Sequence, residues 1–212
     1  MPKLKQTSLV ETTATTTSQS PACVLYIPKV ISRDLSKRAF DYIDTAELNW
    51  YGPRSRTGVV KQKKSRASFG RHDFDPQVPD VFHEIGMRAV EAIQKIQGLH
   101  ADDLKKFYTE SILNNMILNL YDPGDSIAPH QDPPRQNPAV LGITFCENAD
   151  TSRTMRFTKV DDKSKKYPII THDGSVYLFW GDAYSHWKHE SMGSKRQKGR
   201  VLSATFRAQR VV

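Results

Sequence analysis

From Asn114 to the C-terminus the chain is a succession of short strand-like runs: NMILNLY, AVLGITFC, TMRFTKV, KYPIITH, SVYLFW and RVLSATFRA. β-Branched and aromatic residues recur in them, and turn residues separate them. Short β runs of this number, joined by turns, predict an antiparallel sandwich or jelly roll. The expected class is α+β, mainly β, with a double-stranded β-helix core and the preceding helices packed on its outside.

Two helices are expected before the strands. Ser32 can cap one over about 33–48, with Leu35, Ala39, Phe40 and Ile43 on its buried side. The clearer one runs over about 79–97. Phe82, Ile85, Ala89, Ile93 and Ile96 recur there at helical spacing, and Gly98 can end it. CVLYIPKV reads as a short strand stopped by Pro28. Residues 1–20 are rich in Thr and Ser and poor in apolar side chains, so they read as a disordered tail. One folded domain is expected over 21–212.

Lys plus Arg number 31 against 23 Asp plus Glu, a net +8 that favours an anionic partner, nucleic acid first among them. Two cysteines, Cys23 and Cys146, are too few for a disulfide framework or a cysteine zinc site. With no signal peptide and no long apolar run, an intracellular, non-secreted and soluble protein is expected, nuclear or cytoplasmic. Between Trp50 and Phe74 the chain interleaves cations with rings: Arg54, Arg56, Lys61, Lys63, Lys64, Arg66 and Arg71 among Trp50, Tyr51, Phe69 and Phe74. Cations for phosphates and rings for stacking suit a nucleic-acid grip. A solvated basic loop with its rings in the core is the competing reading of that segment.

The chemistry concentrates in NMILNLYDPGDSIAPHQDPPR, residues 115–135. Side chains alternate along a strand, so Asn119 and Tyr121 share one face while Met116, Leu118 and Leu120 take the other. His130 and Asp132, two apart, present an imidazole and a carboxylate to one point if the backbone there is extended. A second His-x-Asp pair, His100 and Asp102, sits beside a charged run after Gly98. The pair that follows a strand and a DPGD turn is the better candidate. A third ligand can come from GDAYSHWKHESMG, which offers His186 and His189. The last strand carries Ser203, Thr205 and Arg207 on one face. Two histidines and a carboxylate on one side of a metal, with open positions beyond, suit non-haem Fe(II). A buried arginine is the natural bidentate partner of a carboxylate co-substrate.

The ordered set Asn119-Leu-Tyr121, Pro123-Gly124, His130-Gln-Asp132, Trp180-Gly181, His186-Trp-Lys-His189 and Thr205-Phe-Arg207 closely resembles the AlkB family of Fe(II)/2-oxoglutarate dioxygenases. The resemblance covers about residues 50–210, and KKSRASFG resembles the family's segment before its lesion-binding lid. It implies Fe(II) held by His130, Asp132 and His189. Of the two late histidines it selects His189, the second of the H-W-x-H form, and leaves His186 near the substrate. It implies 2-oxoglutarate held by Asn119, Tyr121 and Arg207, with Ser203 and Thr205 on the same strand face. It implies O₂-dependent demethylation of alkylated DNA or RNA bases, releasing formaldehyde, succinate and CO₂. Single strands are favoured, since a duplex base must first be flipped out. Arg54, Arg66, Phe69 and Phe74 are the substrate-contact candidates, and a monomer is expected.

The sequence departs from the family pattern in two places. The family has a second arginine six residues before that of T-F-R, and here the nearest is Arg200, seven before. In a regular strand Arg200 faces away with Leu202, Ala204 and Phe206, unless a bulge restores it as a co-substrate ligand. Where repair enzymes of the family carry an acidic contact to the damaged base, this chain has Pro134, followed by Arg135. A proline side chain accepts no hydrogen bond. Two other readings therefore stand beside the first: the same iron chemistry on another substrate such as a protein side chain, and a nucleic-acid-binding module with a dead site.

Overall fold

Why some strands are apolar throughout and others alternate follows from a two-layer architecture. The computed structural model describes residues 21, 23–51, 66–70, 76–96, 113–132 and 139–207. Its elements in chain order are β1 (Val24–Ile27), α1 (Arg33–Thr45), β2 (Arg66–Phe69), α2 (Asp80–Gln94), β3 (Met116–Tyr121), β4 (Ile127–His130), β5 (Ala139–Cys146), β6 (Ser152–Lys159), β7 (Lys166–His172), β8 (Ser175–Trp180), α3 (Gly181–Ser185), β9 (Trp187–Met192) and β10 (Val201–Phe206). Six strands form one sheet in the order β1-β8-β5-β10-β3-β2, and four form the other in the order β4-β9-β6-β7. Every strand pairing is antiparallel. The expected mainly-β jelly-roll core is the one observed.

The large sheet is covered on both faces. Its central strands β5, β8 and β10 are buried at every position and read as mainly apolar runs. One face packs on the helices: Phe40 and Ile43 of α1, Phe82, Ile85 and Ile93 of α2, and Leu118, Leu141, Leu178 and Phe206 of the strands share one core. Leu202 and Ala204 lie in the same core, as the alternation of β10 requires. The other face looks towards the small sheet, across a second cluster that includes Val140, Met155, Phe157, Phe179 and Trp187. Ser32 caps α1 as expected, accepting from the Leu35 N–H. Among the described residues no helix is long and apolar enough to cross a membrane.

Phe69 is corrected here. It is 1% exposed and belongs to the helix-side core, so it is not available as a stacking ring. The cause is alternation on β2. Ala67 and Phe69 turn into the core, while Arg66 turns towards the space between the sheets.

Arg200 is corrected as well. It lies just before β10 on the outside of the molecule. Its guanidinium donates to both oxygens of Asp44 on α1, at 2.6 and 2.8 Å, and to Glu147 at 2.8 Å. Hydrogen bonding to Arg200 holds both carboxyls below their usual range. Arg200 is thus a tie between α1 and the sheet and not a co-substrate ligand. Arg200→Ala should lower stability by about 1 kcal/mol near neutral pH, a modest figure because the pairs are solvent-screened. In a domain of this size that is a Tm drop of roughly 2–4 °C. A depressed carboxyl stabilises the fold above its unfolded pKa and stops doing so as pH falls through its folded value. The gap between wild type and variant should therefore close below about pH 4 in thermal melts.

Candidate metal centre and its cavity

Strand pairing builds the centre. β4 is an edge strand, and its pairing with β9 sets His130 directly opposite His189, with ring centroids 4.3 Å apart. The ladder is irregular between Ile127 and His130, where Pro129 has no N–H to donate. Asp132 follows two residues on, and ligand atoms of His130, Asp132 and His189 all lie within 4.8 Å of one another.

Each side chain is set for donation to a common point. His130 Nδ1 lies 2.9 Å from the Ala128 carbonyl. A carbonyl only accepts, so Nδ1 donates to it, and Nε2 is the ring nitrogen left to face a metal. His189 is packed by Phe179 and Phe157, with centroids at 4.8 and 6.4 Å. Burial pushes its pKa down to about 3, so the ring is neutral. Asp132 divides its oxygens. Oδ1 is ion-paired with Arg207 Nη2 at 3.0 Å. Oδ2 is buried, lies 3.9 Å from His189 Nε2, and has no hydrogen-bond partner among the described residues. A buried carboxylate oxygen left bare is costly, and the two imidazoles beside it complete a metal donor set. The residues present fit a divalent iron ion.

The triad opens into the cavity between the sheets. Asn119 and Tyr121 of β3, Ser203 and Thr205 of β10, Arg207 and Arg66 all line it. The Thr205 hydroxyl donates to the Ile117 carbonyl at 3.2 Å, which fixes its oxygen in the strand. The Nε of Arg207 is buried with no acceptor among the described residues. His186 takes no part. Its side chain is 69% exposed, and Nδ1 sits 3.2 Å from Asp182 Oδ1 at the end of α3. Its expected place near the substrate is therefore corrected. Arg54, Phe74, Pro134, Arg135 and the His100/Asp102 pair lie outside the described residues.

Sequence reasoning missed two wall residues. Tyr177 on β8 faces Gly142 on β5, and its ring lies against that glycine. Burial raises the Tyr177 pKa, keeping it a neutral phenol. Arg153 on β6 is the second. Its guanidinium sits 3.6 Å from the Tyr121 ring centre, and burial pulls its pKa below the usual arginine value. The signal was present in TMRFTKV and its preceding Ser-Arg. Arg153 shares the inward register with Met155 and Phe157.

The fold that these sheets and helices make is AlkB-like. The solved structure of OsALKBH1 is similar to this chain with a TM-score of 0.61, over 90% of this chain and 98% of that one, at 16% sequence identity. No protein-family model and no curated protein matches the sequence.

Proposed function

We propose that this protein is an Fe(II)/2-oxoglutarate-dependent oxygenase that demethylates alkylated bases of DNA or RNA. The observation that carries the reading is Asp132: one oxygen is bonded to Arg207 and the other is bare and buried between two imidazoles. The AlkB-like fold supports the same reading.

In this reading His130, Asp132 and His189 hold the iron. The Ala128 carbonyl fixes the His130 tautomer, and the aromatic packing of Phe157 and Phe179 keeps His189 in place. Arg207 offsets the Asp132 charge and keeps its Nε–H for an incoming carboxylate. Asn119, Ser203, Thr205 and Tyr121 supply the polar wall against which a co-substrate is oriented. The iron and its 2-oxo acid supply O₂ activation and oxidation of an N-methyl carbon. The hydroxymethyl product then releases formaldehyde and leaves the free base. Arg66 is the described cation nearest to that role of contacting substrate, and Arg54 and Phe74 are proposed to join it.

The basic, aromatic segment over 50–74 and the net charge favour a nucleic-acid substrate over a protein one. Pro134 favours a base that the acidic contact of the repair enzymes does not read. A panel of N-methylated oligonucleotides, DNA and RNA, single- and double-stranded, tests this in the presence of Fe(II) and 2-oxoglutarate. Formaldehyde should follow the methylated base and be higher on single strands. Succinate formed without any dependence on oligonucleotide would move the substrate to another class.

A further inference from the structure

Arg153 is 5% exposed, yet it pairs with no carboxylate among the described residues. Its Nε donates to Ser191 Oγ at 2.5 Å, Nη1 to Gln197 Oε1 at 3.0 Å, and Nη2 to the carbonyls of Asp125 and Ser191 at 2.6 and 3.4 Å. Every one of these acceptors is neutral. An arginine has five N–H donors, so one on Nη1 is left over. A buried cation whose partners are all neutral is expensive to keep unless something anionic completes it. The guanidinium carbon also sits over the Tyr121 ring, 3.6 Å from its centre, which helps to hold the group in place.

The surroundings say what kind of anion. Arg153 lines the same cavity as the triad. Ser191, its tightest partner, is two residues along β9 from His189 and on the same strand face. One such step is about 7 Å, comparable with the reach of a five-carbon 2-oxo diacid from its oxo group to its far carboxylate. On β10 the position six residues before Arg207 is Val201, an apolar side chain that lines the cavity beside Tyr121. That strand offers no cation at this end. β6, on the opposite sheet, does.

We propose that Arg153, flanked by Tyr121 and Ser191, is a carboxylate-binding subsite that takes the distal carboxylate of a dicarboxylic 2-oxo acid co-substrate. The subsite rests on the oxygenase reading given above. Arg207 then serves the metal end of the cavity and Arg153 the far end, each carried by a different sheet.

The test is binding and not turnover. Full-length protein is loaded anaerobically with Fe(II) and titrated with 2-oxoglutarate or with 2-oxobutyrate, which lacks the distal carboxylate. The visible charge-transfer absorption of the iron–2-oxo acid chelate reports occupancy. Wild type should prefer the diacid by about 10- to 100-fold, the range of a charge-assisted hydrogen-bonded pair. Arg153→Gln should abolish that preference while leaving 2-oxobutyrate affinity unchanged. Arg153→Lys, which keeps the charge and the fold but not the fork, should retain part of it. Unchanged 2-oxoglutarate affinity in either variant overturns the subsite, as does an equal loss for both acids. A wild-type chelate that forms without preferring the diacid overturns the subsite and leaves the oxygenase reading standing. No chelate with either acid overturns both.

Discussion

His189→Ala should remove iron binding and abolish turnover, while His186→Ala should leave both nearly intact. The two histidines are three residues apart in GDAYSHWKHESMG, yet β9 gives them opposite fates. His189 is paired with His130 across the ladder and lies 3.9 Å from a bare Asp132 oxygen. His186 is exposed beside Asp182. Groups that merely support a metal ligand cost about 10- to 100-fold when removed, so loss of a ligand should exceed that. An exposed His–Asp contact is worth at most about 1 kcal/mol, or about fivefold. Metal content after dialysis against Fe(II), together with succinate formation, reads both variants. Circular dichroism separates loss of the ligand from loss of the fold, because His189 also fills space beside Phe157 and Phe179. Retained iron in His189→Ala, with loss in His186→Ala, would show the wrong histidine had been assigned.

Gly142→Ala should be the most damaging one-methyl change in the large sheet. A Cβ at this position would stand 1.9 Å from the Tyr177 ring, well inside contact distance, and the ring is buried. The glycine leaves the space in which the Tyr177 ring lies over β5. With a methyl in the way, the ring has to move into the cavity or the strands have to part. Overpacking of this kind costs about 1–3 kcal/mol, roughly 3–10 °C in Tm for a domain of this size. Affinity for the proposed 2-oxo acid should fall at the same time, because Ser203 and Tyr177 line the cavity beside the candidate metal centre. Tyr177→Leu in the same chain should restore Tm by removing the clash but should not restore affinity. A Tm within 1 °C of wild type for Gly142→Ala alone would contradict this packing.

The parts of the fold that announced themselves are those whose burial leaves an unambiguous pattern. β5, β8 and β10 lie in a sheet covered on both faces, so AVLGITFC, SVYLFW and VLSATF are apolar at nearly every position. α2 has a single buried stripe and was equally plain. β4 and β9, the strands that carry the two candidate histidine ligands, were not recognisable as strands. IAPH lies at a sheet edge, interrupted by Pro129, and WKHESM is polar because His189 and Ser191 face the centre and Arg153 while Glu190 pairs with Arg156 and Lys188 is exposed. The candidate ligands were nonetheless legible, because His-x-Asp and H-W-x-H are local spacings, and the structure brings His130, Asp132 and His189 together. Arg153 was not found because the second cation was sought along β10, at a fixed distance from Arg207. Its proximity to Tyr121 is a product of sheet-to-sheet packing, and no spacing within one strand encodes that. Phe69 failed for a related reason. The ring belongs to a basic segment by sequence, but the alternation of β2 turns it into the core.

The most direct test of an iron centre at His130, Asp132 and His189 uses metal-free wild-type protein in air with Fe(II), 2-oxoglutarate and an N-methylated single-stranded oligonucleotide. The expected result is succinate and formaldehyde in equal amounts, both absent without Fe(II) and both absent in Asp132→Ala. Succinate that never exceeds the protein-free control, with Fe(II) and every oligonucleotide supplied, would contradict it.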